Sequence, residues 1–203
     1  MSIASPRERA KAERRDALLS AAAKLFAERG FERVSLDDLG AAVGVSGPAV
    51  YRHFAGKQAV LAALLVDASA GLLDGGRAVI AATVPDDPVT SILDARRALA
   101  ALVAFHVDFA VENPDVIRVQ SADLESLAEA DRRTVRTLQR QYVELWVDAL
   151  STLHPDSPRP LLRTRAHAAF GLMNSTPHSA RAAARETRAL LAAMATSALS
   201  APV

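Results

Sequence analysis

The sequence contains no cysteine, and this absence narrows the range of possible functions. It excludes disulfides, thiolate metal sites and cysteine nucleophiles, and it fits a reducing cytoplasm. The longest nearly apolar run, residues 98–111, is too short to span a bilayer and contains His106 and Asp108. The basic N-terminus has no apolar stretch behind it, so we expect no signal peptide. We therefore predict a cytoplasmic protein without a membrane partner.

The sequence also lacks the short motifs of common enzyme classes. It has no G-x-S-x-G, no phosphate-binding glycine loop and no H-E-x-x-H. The five histidines are scattered, and none has an acidic neighbour at metal-ligand spacing. We therefore expect no enzymatic activity, no cofactor and no metal site.

There is no large excess of charge of either sign, because the formal net charge is only +1. The distribution is uneven, however. Residues 1–60 hold ten Lys/Arg and seven Asp/Glu, a balance of +3, whereas the remainder holds fourteen and sixteen, a balance of −2. A basic N-terminal third indicates an anionic partner for that part of the chain.

What the sequence does have is helical periodicity. Leu18, Ala22, Leu25 and Phe26 fall on one apolar stripe, and Gly30 follows as a helix C-cap. No segment shows strand alternation. We therefore predict an all-α fold of about nine helices. A long helix is predicted to begin at Lys57, and a loop is predicted at VPDDP, residues 84–88. After this loop, the predicted helices cover about 89–112, 115–120, 124–153, 160–174 and 178–199.

The segment GVSGPAVYRHFAGK, residues 44–57, combines a glycine-containing turn with a Tyr-Arg-His-Phe cluster. Before it, Ser35 and Asp38 have the spacing of a helix N-cap pair. Within it, we expect Ser46 to cap a second short helix, and Val50 and Phe54 to face inward together. Two short helices joined by a tight turn, with a third helix beneath them, form a helix-turn-helix.

The stretch FAERGFERVSLDDLGAAVGVSGPAVYRHFAGKQAVL resembles the TetR/AcrR-type one-component transcriptional regulators. The resemblance covers roughly residues 12–65 and departs from the family at Gly40, where alanine is common. It implies a three-helix DNA-binding domain over 1–56 with a basic N-terminal arm, and a ligand-binding and dimerisation domain over 57–203. It also implies a homodimer on a palindromic operator, with repression that a small ligand most often releases.

The resemblance implies DNA contacts from both short helices. Phosphates are expected to meet Ser35, Tyr51, His53 and Lys57. Arg52 is expected to contact a base. Four residues at the start of the second helix are also expected to face the bases: Ser46, Gly47, Pro48 and Ala49. The basic arm reaches phosphates or the minor groove through Arg7, Arg9, Lys11, Arg14 and Arg15. Two alternatives remain open, a solvated His53 and a disordered arm.

The C-terminal part offers aromatic and polar candidates for a ligand site. The large apolar candidates are Phe105, Phe109, Tyr142, Trp146, Phe170 and Met173, and each can instead be ordinary core. The polar anchors are His106, Arg118 and Asn174, together with His178 near Asn174. An arginine beside apolar walls suits the headgroup of an amphiphile, so we predict an acyl-CoA or a fatty acid as the effector.

Apolar residues on the last two predicted helices correspond to the family's four-helix dimer interface. They are Leu161, Leu162, Phe170, Gly171, Leu172, Leu190, Leu191 and Met194. These residues can instead cover only the core of their own domain. The competing hypothesis is a helical small-molecule-binding module that has no role on DNA.

Overall fold

The computed structural model describes residues 5–84, 91–179 and 183–202. Within these ranges the chain forms α-helices and short 3-10 turns and contains no strand. The α-helices, in order, are α1 (Pro6–Arg29), α2 (Leu36–Ala42), α3 (Gly47–Val50), α4 (Lys57–Thr83), α5 (Ile92–Glu112), α6 (Pro114–Asp123), α7 (Glu129–Leu153), α8 (Arg159–Met173), α9 (Thr176–Ser179) and α10 (Ala184–Ser200). The all-α prediction is confirmed.

The segment that joins α1 to α2 folds as the sequence predicts. Gly30 has a φ of 81°, a conformation that glycine adopts without strain, and its N–H caps α1 on the Phe26 carbonyl. The chain then turns so that the Phe31 ring meets the Phe26 ring edge-on, with 5.3 Å between centroids. At the start of α2, the Asp38 N–H donates to Ser35 Oγ at 3.1 Å and the Ser35 N–H donates to Asp38 Oδ2 at 2.8 Å. The predicted cap pair is confirmed.

The turn between α2 and α3 explains the glycine at position 40. The sequence alone indicates only that Gly40 weakens its helix. In the structure, a Cβ on Gly40 would lie 2.8 Å from the backbone oxygen of Val45. The Val45 N–H also donates to the Gly40 carbonyl at 2.9 Å. Glycine therefore permits the close backbone approach that places α3 against α2.

The N-terminal core holds the two short helices against α1. Val50 and Phe54 are buried in it, as predicted, together with Phe26 and Leu39. This core does not stop at residue 56, because it continues into the first half of α4 and includes parts of α6 and α7. These further buried members are Val60, Leu61, Leu64, Leu65, Val116, Val119 and Val135. The two short helices are therefore supported from the C-terminal part of the chain.

Helix α4 is shared by two cores. Its most apolar window has a mean hydropathy of 1.5, which by length and composition alone would suit a membrane span. Here it packs against α1, α5 and α7. Leu61 and Leu65 are buried in the N-terminal core, and Leu73 is buried in a second, C-terminal core around Trp146. These contacts are those of a core helix. A long apolar core helix can meet the length and hydropathy criteria for a membrane span.

The C-terminal core is built from α4, α5, α7, α8 and α10. Two boundaries differ from the sequence predictions. Helix α6 extends to Asp123 and a 3-10 turn follows it, so α7 begins at Glu129 rather than near 124. Thr176 and Pro177 lie in the short helix α9 instead of splitting two long helices. Residues 85–90 and 180–182, which include most of the expected VPDDP loop, lie outside the described residues.

Candidate functional site

Three residues expected to contact phosphates border one open groove on the N-terminal part. Ser35 begins α2, Tyr51 follows α3 and Lys57 begins α4, and all three line a depression of about 400 Å³. Tyr51 is 61% exposed, although it is one of the larger side chains of the chain. An exposed tyrosine offers its hydroxyl to a ligand at no cost in core packing. The groove thus groups a hydroxyl, a helix N-cap and an ammonium.

Lys57 is held in place by the turn before α2. Its Nζ donates to the Phe31 carbonyl at 2.9 Å and to the Glu32 carbonyl at 3.1 Å. It also lies 4.4 Å from the centroid of the Phe31 ring. An ammonium has three donors, and these carbonyls use two of them. Lys57 is therefore fixed at the edge of the groove, and one of its three donors is left for a ligand.

Ser46 occupies the N-cap position of α3, but the expectation that its hydroxyl caps the helix is wrong. A capping hydroxyl accepts from the second or third helical N–H. The second residue is Pro48, which has no N–H, and the third N–H, of Ala49, donates to the Ser46 backbone carbonyl at 2.9 Å. Ser46 and Pro48 are exposed, Ala49 is half-buried, and Gly47 is buried. The Ser46 side chain is thus not used by the helix that it begins.

The remaining candidates on this face differ in how firmly the protein holds them. Arg52 is exposed, and His53 is half-buried with no partner for its Nδ1 in the ranges described. The basic arm is helical from Pro6 onward. Arg14 donates to the Val43 carbonyl at 3.1 Å, and Arg15 pairs with Asp67 of α4 at 2.8 Å. The alternative of a disordered arm is therefore wrong for this part of α1.

A second candidate site is a cavity of about 200 Å³ between α4, α5, α6, α7 and α8, which we call the effector cavity. Five of the ten ligand candidates line it: His106, Phe109, Tyr142, Phe170 and Asn174. The other lining residues are Leu72, Val116, Ile117, Gln120, Gln139, Val143 and His167. His167 is exposed, so it marks the side on which the cavity opens.

Five candidates lie outside the lining, and one of them, His178, is exposed. Trp146 and Met173 are fully buried in the C-terminal core, and Phe105 packs against Gly75 of α4. Arg118 donates to the Pro177 carbonyl at 3.0 Å and lies 3.9 Å from Asp115. The Arg118 guanidinium therefore links α6 to α9 and does not line the cavity. This bond also satisfies a backbone carbonyl of the short helix α9.

His106 forms the polar centre of the cavity wall. Its Nε2 lies 3.0 Å from Asn174 Oδ1, and its Nδ1 lies 3.2 Å from the Tyr142 hydroxyl. An amide oxygen only accepts, so Nε2–H donates to Asn174 and the Tyr142 hydroxyl donates to Nδ1. Burial lowers the pKa of His106 to about 4 and raises the pKa of Tyr142. Both groups are therefore uncharged at neutral pH.

Sequence reasoning missed the glutamines of this wall. Gln139 Nε2 is buried and has no hydrogen-bond partner in the described part of the chain. Gln120, one of the lining residues, is half-buried on α6. The signal for Gln139 was available, because it lies one helical turn before Tyr142 and shares its face. With both glutamines, the lining contains polar groups but no Lys, Arg, Asp or Glu among the residues described.

The buried His106 predicts a pH-dependent stability. Above pH 6.5 the imidazole is neutral in the folded and unfolded chains, so it adds no pH dependence there. As the pH falls from 6.5 toward 4, only the unfolded chain binds the proton. The free energy of unfolding then falls, by on the order of 3 kcal/mol at pH 4. Urea unfolding of the wild type between pH 7.5 and 4.5 measures this slope.

The matched variants for that experiment are His106→Gln and His178→Gln. His178 is exposed and does not line the cavity, so its variant controls for the loss of a histidine outside the buried core. His106→Gln should flatten the curve between pH 6.5 and 4. Equal slopes for the wild type and His106→Gln would show that the folded protein protonates His106 as easily as the unfolded chain does.

Two family models match the chain. Residues 18–64 match "Bacterial regulatory proteins, tetR family", and residues 93–178 match "Tetracyclin repressor-like, C-terminal domain". The first match contains α2, α3 and the groove residues, and the second contains most of the effector cavity.

Curated relatives and a solved structure agree with these matches. The chain is 28% identical over 141 residues to the HTH-type transcriptional repressor KstR2 of Rhodococcus jostii, covering 69% of this chain and 65% of that protein. It is 33% identical over 97 residues to the HTH-type transcriptional activator FasR of Mycolicibacterium smegmatis, covering 48% and 40%. The matched segments thus span less than two thirds of either relative.

The solved structure is a TetR-family transcriptional regulator from Bordetella parapertussis. It superposes with a TM-score of 0.76 at 25% identity, covering 91% of this chain and 93% of that one. The likeness therefore extends over both cores of the fold.

Proposed function

The chain belongs to the TetR family of bacterial regulatory proteins, and from this premise we propose that it is a cytoplasmic, DNA-binding transcriptional regulator that responds to a small ligand. The proposal gives no enzymatic role to either site. The observation that carries it is the groove in which Ser35, Tyr51 and Lys57 meet. A hydroxyl, a helix N-terminus and a fixed ammonium on one surface suit a phosphate backbone.

Helix α3 supplies the face that would enter the major groove. Its exposed start, with Ser46 and Pro48, can approach base edges closely. The Ser46 hydroxyl is not used as a cap and can bond to a base. Ala49 offers only van der Waals contact with a thymine methyl. His53 and Arg52 would add phosphate and base contacts at the other end of the helix.

We propose that the protein acts as a homodimer on a palindromic operator. Leu161 of α8 and Leu190 and Met194 of α10 are large apolar side chains left exposed on two helices that pack against each other. Apolar surface of this kind is typical of a contact between subunits. A twofold dimer would present two α3 helices to half-sites about 34–36 Å apart.

Helix α6 is the element that would couple the two sites. Val116 of α6 lines the effector cavity and also belongs to the N-terminal core. Helix α6 packs directly against α1, α1 packs against α2, and α2 packs against α3. A ligand that prefers one position of α6 would therefore change the spacing of the two α3 helices.

We favour repression that the effector releases, although the relatives include an activator as well as a repressor. The sign of control depends on where the operator lies. The acyl-CoA or fatty-acid effector stays a prediction. Its expected anchor, Arg118, bonds to Pro177 outside the cavity, and 200 Å³ holds only a part of such a molecule.

The proposal is tested by fluorescence anisotropy with the full chain and duplex DNA from the region upstream of its own gene. A shuffled duplex of the same composition serves as the control. We expect the upstream DNA to bind at least about a thousandfold more tightly, with a steep loss of affinity as salt increases. Equal, salt-independent binding to both duplexes would favour the rival function, a helical small-molecule-binding module without a role on DNA.

A further inference from the structure

One residue in the wall of the effector cavity has a buried side-chain donor whose partner is missing in the part of the chain that the structure describes. Gln139 Nε2 is buried without a hydrogen-bond partner in the described ranges, and its residue lines the cavity. A buried N–H that lacks an acceptor is costly, and native proteins nearly always pair such groups. A bound molecule that carries an acceptor would supply the missing partner once the Gln139 amide turns toward the cavity.

Three other polar side chains of the wall are engaged with one another. His106 uses both ring nitrogens, one on Asn174 and one on Tyr142. No Lys or Arg side chain lines the cavity among the residues described. A carboxylate or phosphate placed here would lose its hydration without gaining a counterion, which is unfavourable. The lining therefore selects against anions.

The volume and the rings set the shape of the ligand. A cavity of about 150 Å³ is large enough to hold benzene. At about 200 Å³, the effector cavity suits one or two fused rings. Phe109, Tyr142 and Phe170 give it aromatic walls, and Leu72 and Val143 give it aliphatic ones. Such walls favour a compact apolar body over a long flexible chain.

We propose that the effector is an uncharged, compact ring compound whose carbonyl oxygen accepts a hydrogen bond from the Gln139 side chain. This proposal rests on the proposed function of the cavity and names the ligand class that it takes. It differs from the acyl-CoA or fatty-acid prediction in two ways. The ligand carries no negative charge, and its polar group binds a neutral amide on α7.

The chain provides its own probe for a test. Trp146 is the only tryptophan, and its ring centroid lies 4.9 Å from that of Phe170 and 6.1 Å from that of His106, both of which line the cavity. Its fluorescence should change when the cavity is filled. The full chain is titrated with three bicyclic probes that do not absorb with tryptophan: 1-decalone, decalin and decalin-2-carboxylate.

We expect 1-decalone to bind about tenfold more tightly than decalin. It should also bind at least about tenfold more tightly than decalin-2-carboxylate. Gln139→Leu should abolish the advantage of decalone over decalin. Gln141→Leu is the matched control, because Gln141 lies on the same helix but is exposed. Gln139→Leu should also keep the thermal midpoint at or above that of the wild type, since it removes an unpaired buried amide.

Three results would overturn the proposal. They are equal affinity for decalone and decalin, tighter binding of the carboxylate, and no saturable fluorescence change with any probe up to millimolar concentration. An unchanged preference in Gln139→Leu would overturn the role of Gln139. These readouts do not involve DNA, so they separate this proposal from the proposed function. Decalone binding without any operator affinity would uphold the ligand class and reject the regulator.

Discussion

Replacement of Tyr51 by alanine is expected to lower operator affinity by at least about a hundredfold. Tyr51 is 61% exposed and borders the groove with Ser35 and Lys57, so its hydroxyl is free to donate to a phosphate. A hydrogen bond to a charged group contributes about 1.5–3 kcal/mol. A dimer would lose it twice, which gives the expected factor. Anisotropy titrations of the wild type and the variant on the same operator duplex measure it.

Two controls show where the loss comes from. Tyr51→Phe keeps the ring and removes only the hydroxyl, so it should account for most of the effect. Ile92→Ala removes a similarly exposed apolar side chain at the start of α5, far from the groove in the sequence, and should leave affinity unchanged. Thermal unfolding of Tyr51→Ala should match the wild type, because the side chain contributes little to either core. Full affinity in Tyr51→Ala would move the DNA contact away from the groove.

The second large effect is expected in the C-terminal core. Trp146→Ala should lower the free energy of unfolding by about 3–5 kcal/mol, because truncating a fully buried aromatic ring leaves a cavity. The indole also packs edge-on against two rings. Its ring centroid lies 4.9 Å from that of Phe170 and 6.1 Å from that of Tyr142. Urea unfolding followed by circular dichroism measures the loss without relying on tryptophan fluorescence.

This variant also decides between the two interpretations of Trp146. The sequence makes it a ligand candidate, whereas the structure buries it behind the cavity lining. Trp146→Phe should recover most of the lost stability, since it refills much of the volume. Leu93→Ala, at an exposed position of α5, should change stability by less than about 0.5 kcal/mol. A loss below about 1 kcal/mol in Trp146→Ala would mean that the indole faces open space and belongs to the binding site.

The helix-turn-helix could be predicted closely because its signals are local. Gly30, the Ser35–Asp38 pair and the Val50–Phe54 spacing each act over a few residues, and all three are confirmed. The Ser46 hydroxyl does not cap α3 for a reason that is also local. Pro48 has no N–H, and the Ala49 N–H donates to the Ser46 backbone carbonyl. The approach of Gly40 to Val45 is different, because it depends on how two helices pack around the turn.

The cavity was harder to predict for the same reason. Helical periodicity shows that His106, Arg118 and Gln139 lie on amphipathic helices, but it gives no angle between those helices. Arg118 was expected in the ligand site but bonds to Pro177, whereas Gln139, which was not a candidate, lines the cavity. Periodicity specifies a face of one helix, whereas a cavity is formed by faces of several.

The sequence by itself determined the helical fold, the cap pair, the turn and the family, because each rests on residues within a few turns of one another. Only the tertiary structure decided which polar groups share a site. Ser35, Tyr51 and Lys57 meet because α4 returns against the turn before α2. His106, Tyr142 and Asn174 meet because α5, α7 and α8 pack around one cavity. Such contacts arise from the packing of distant helices, which local sequence patterns do not specify.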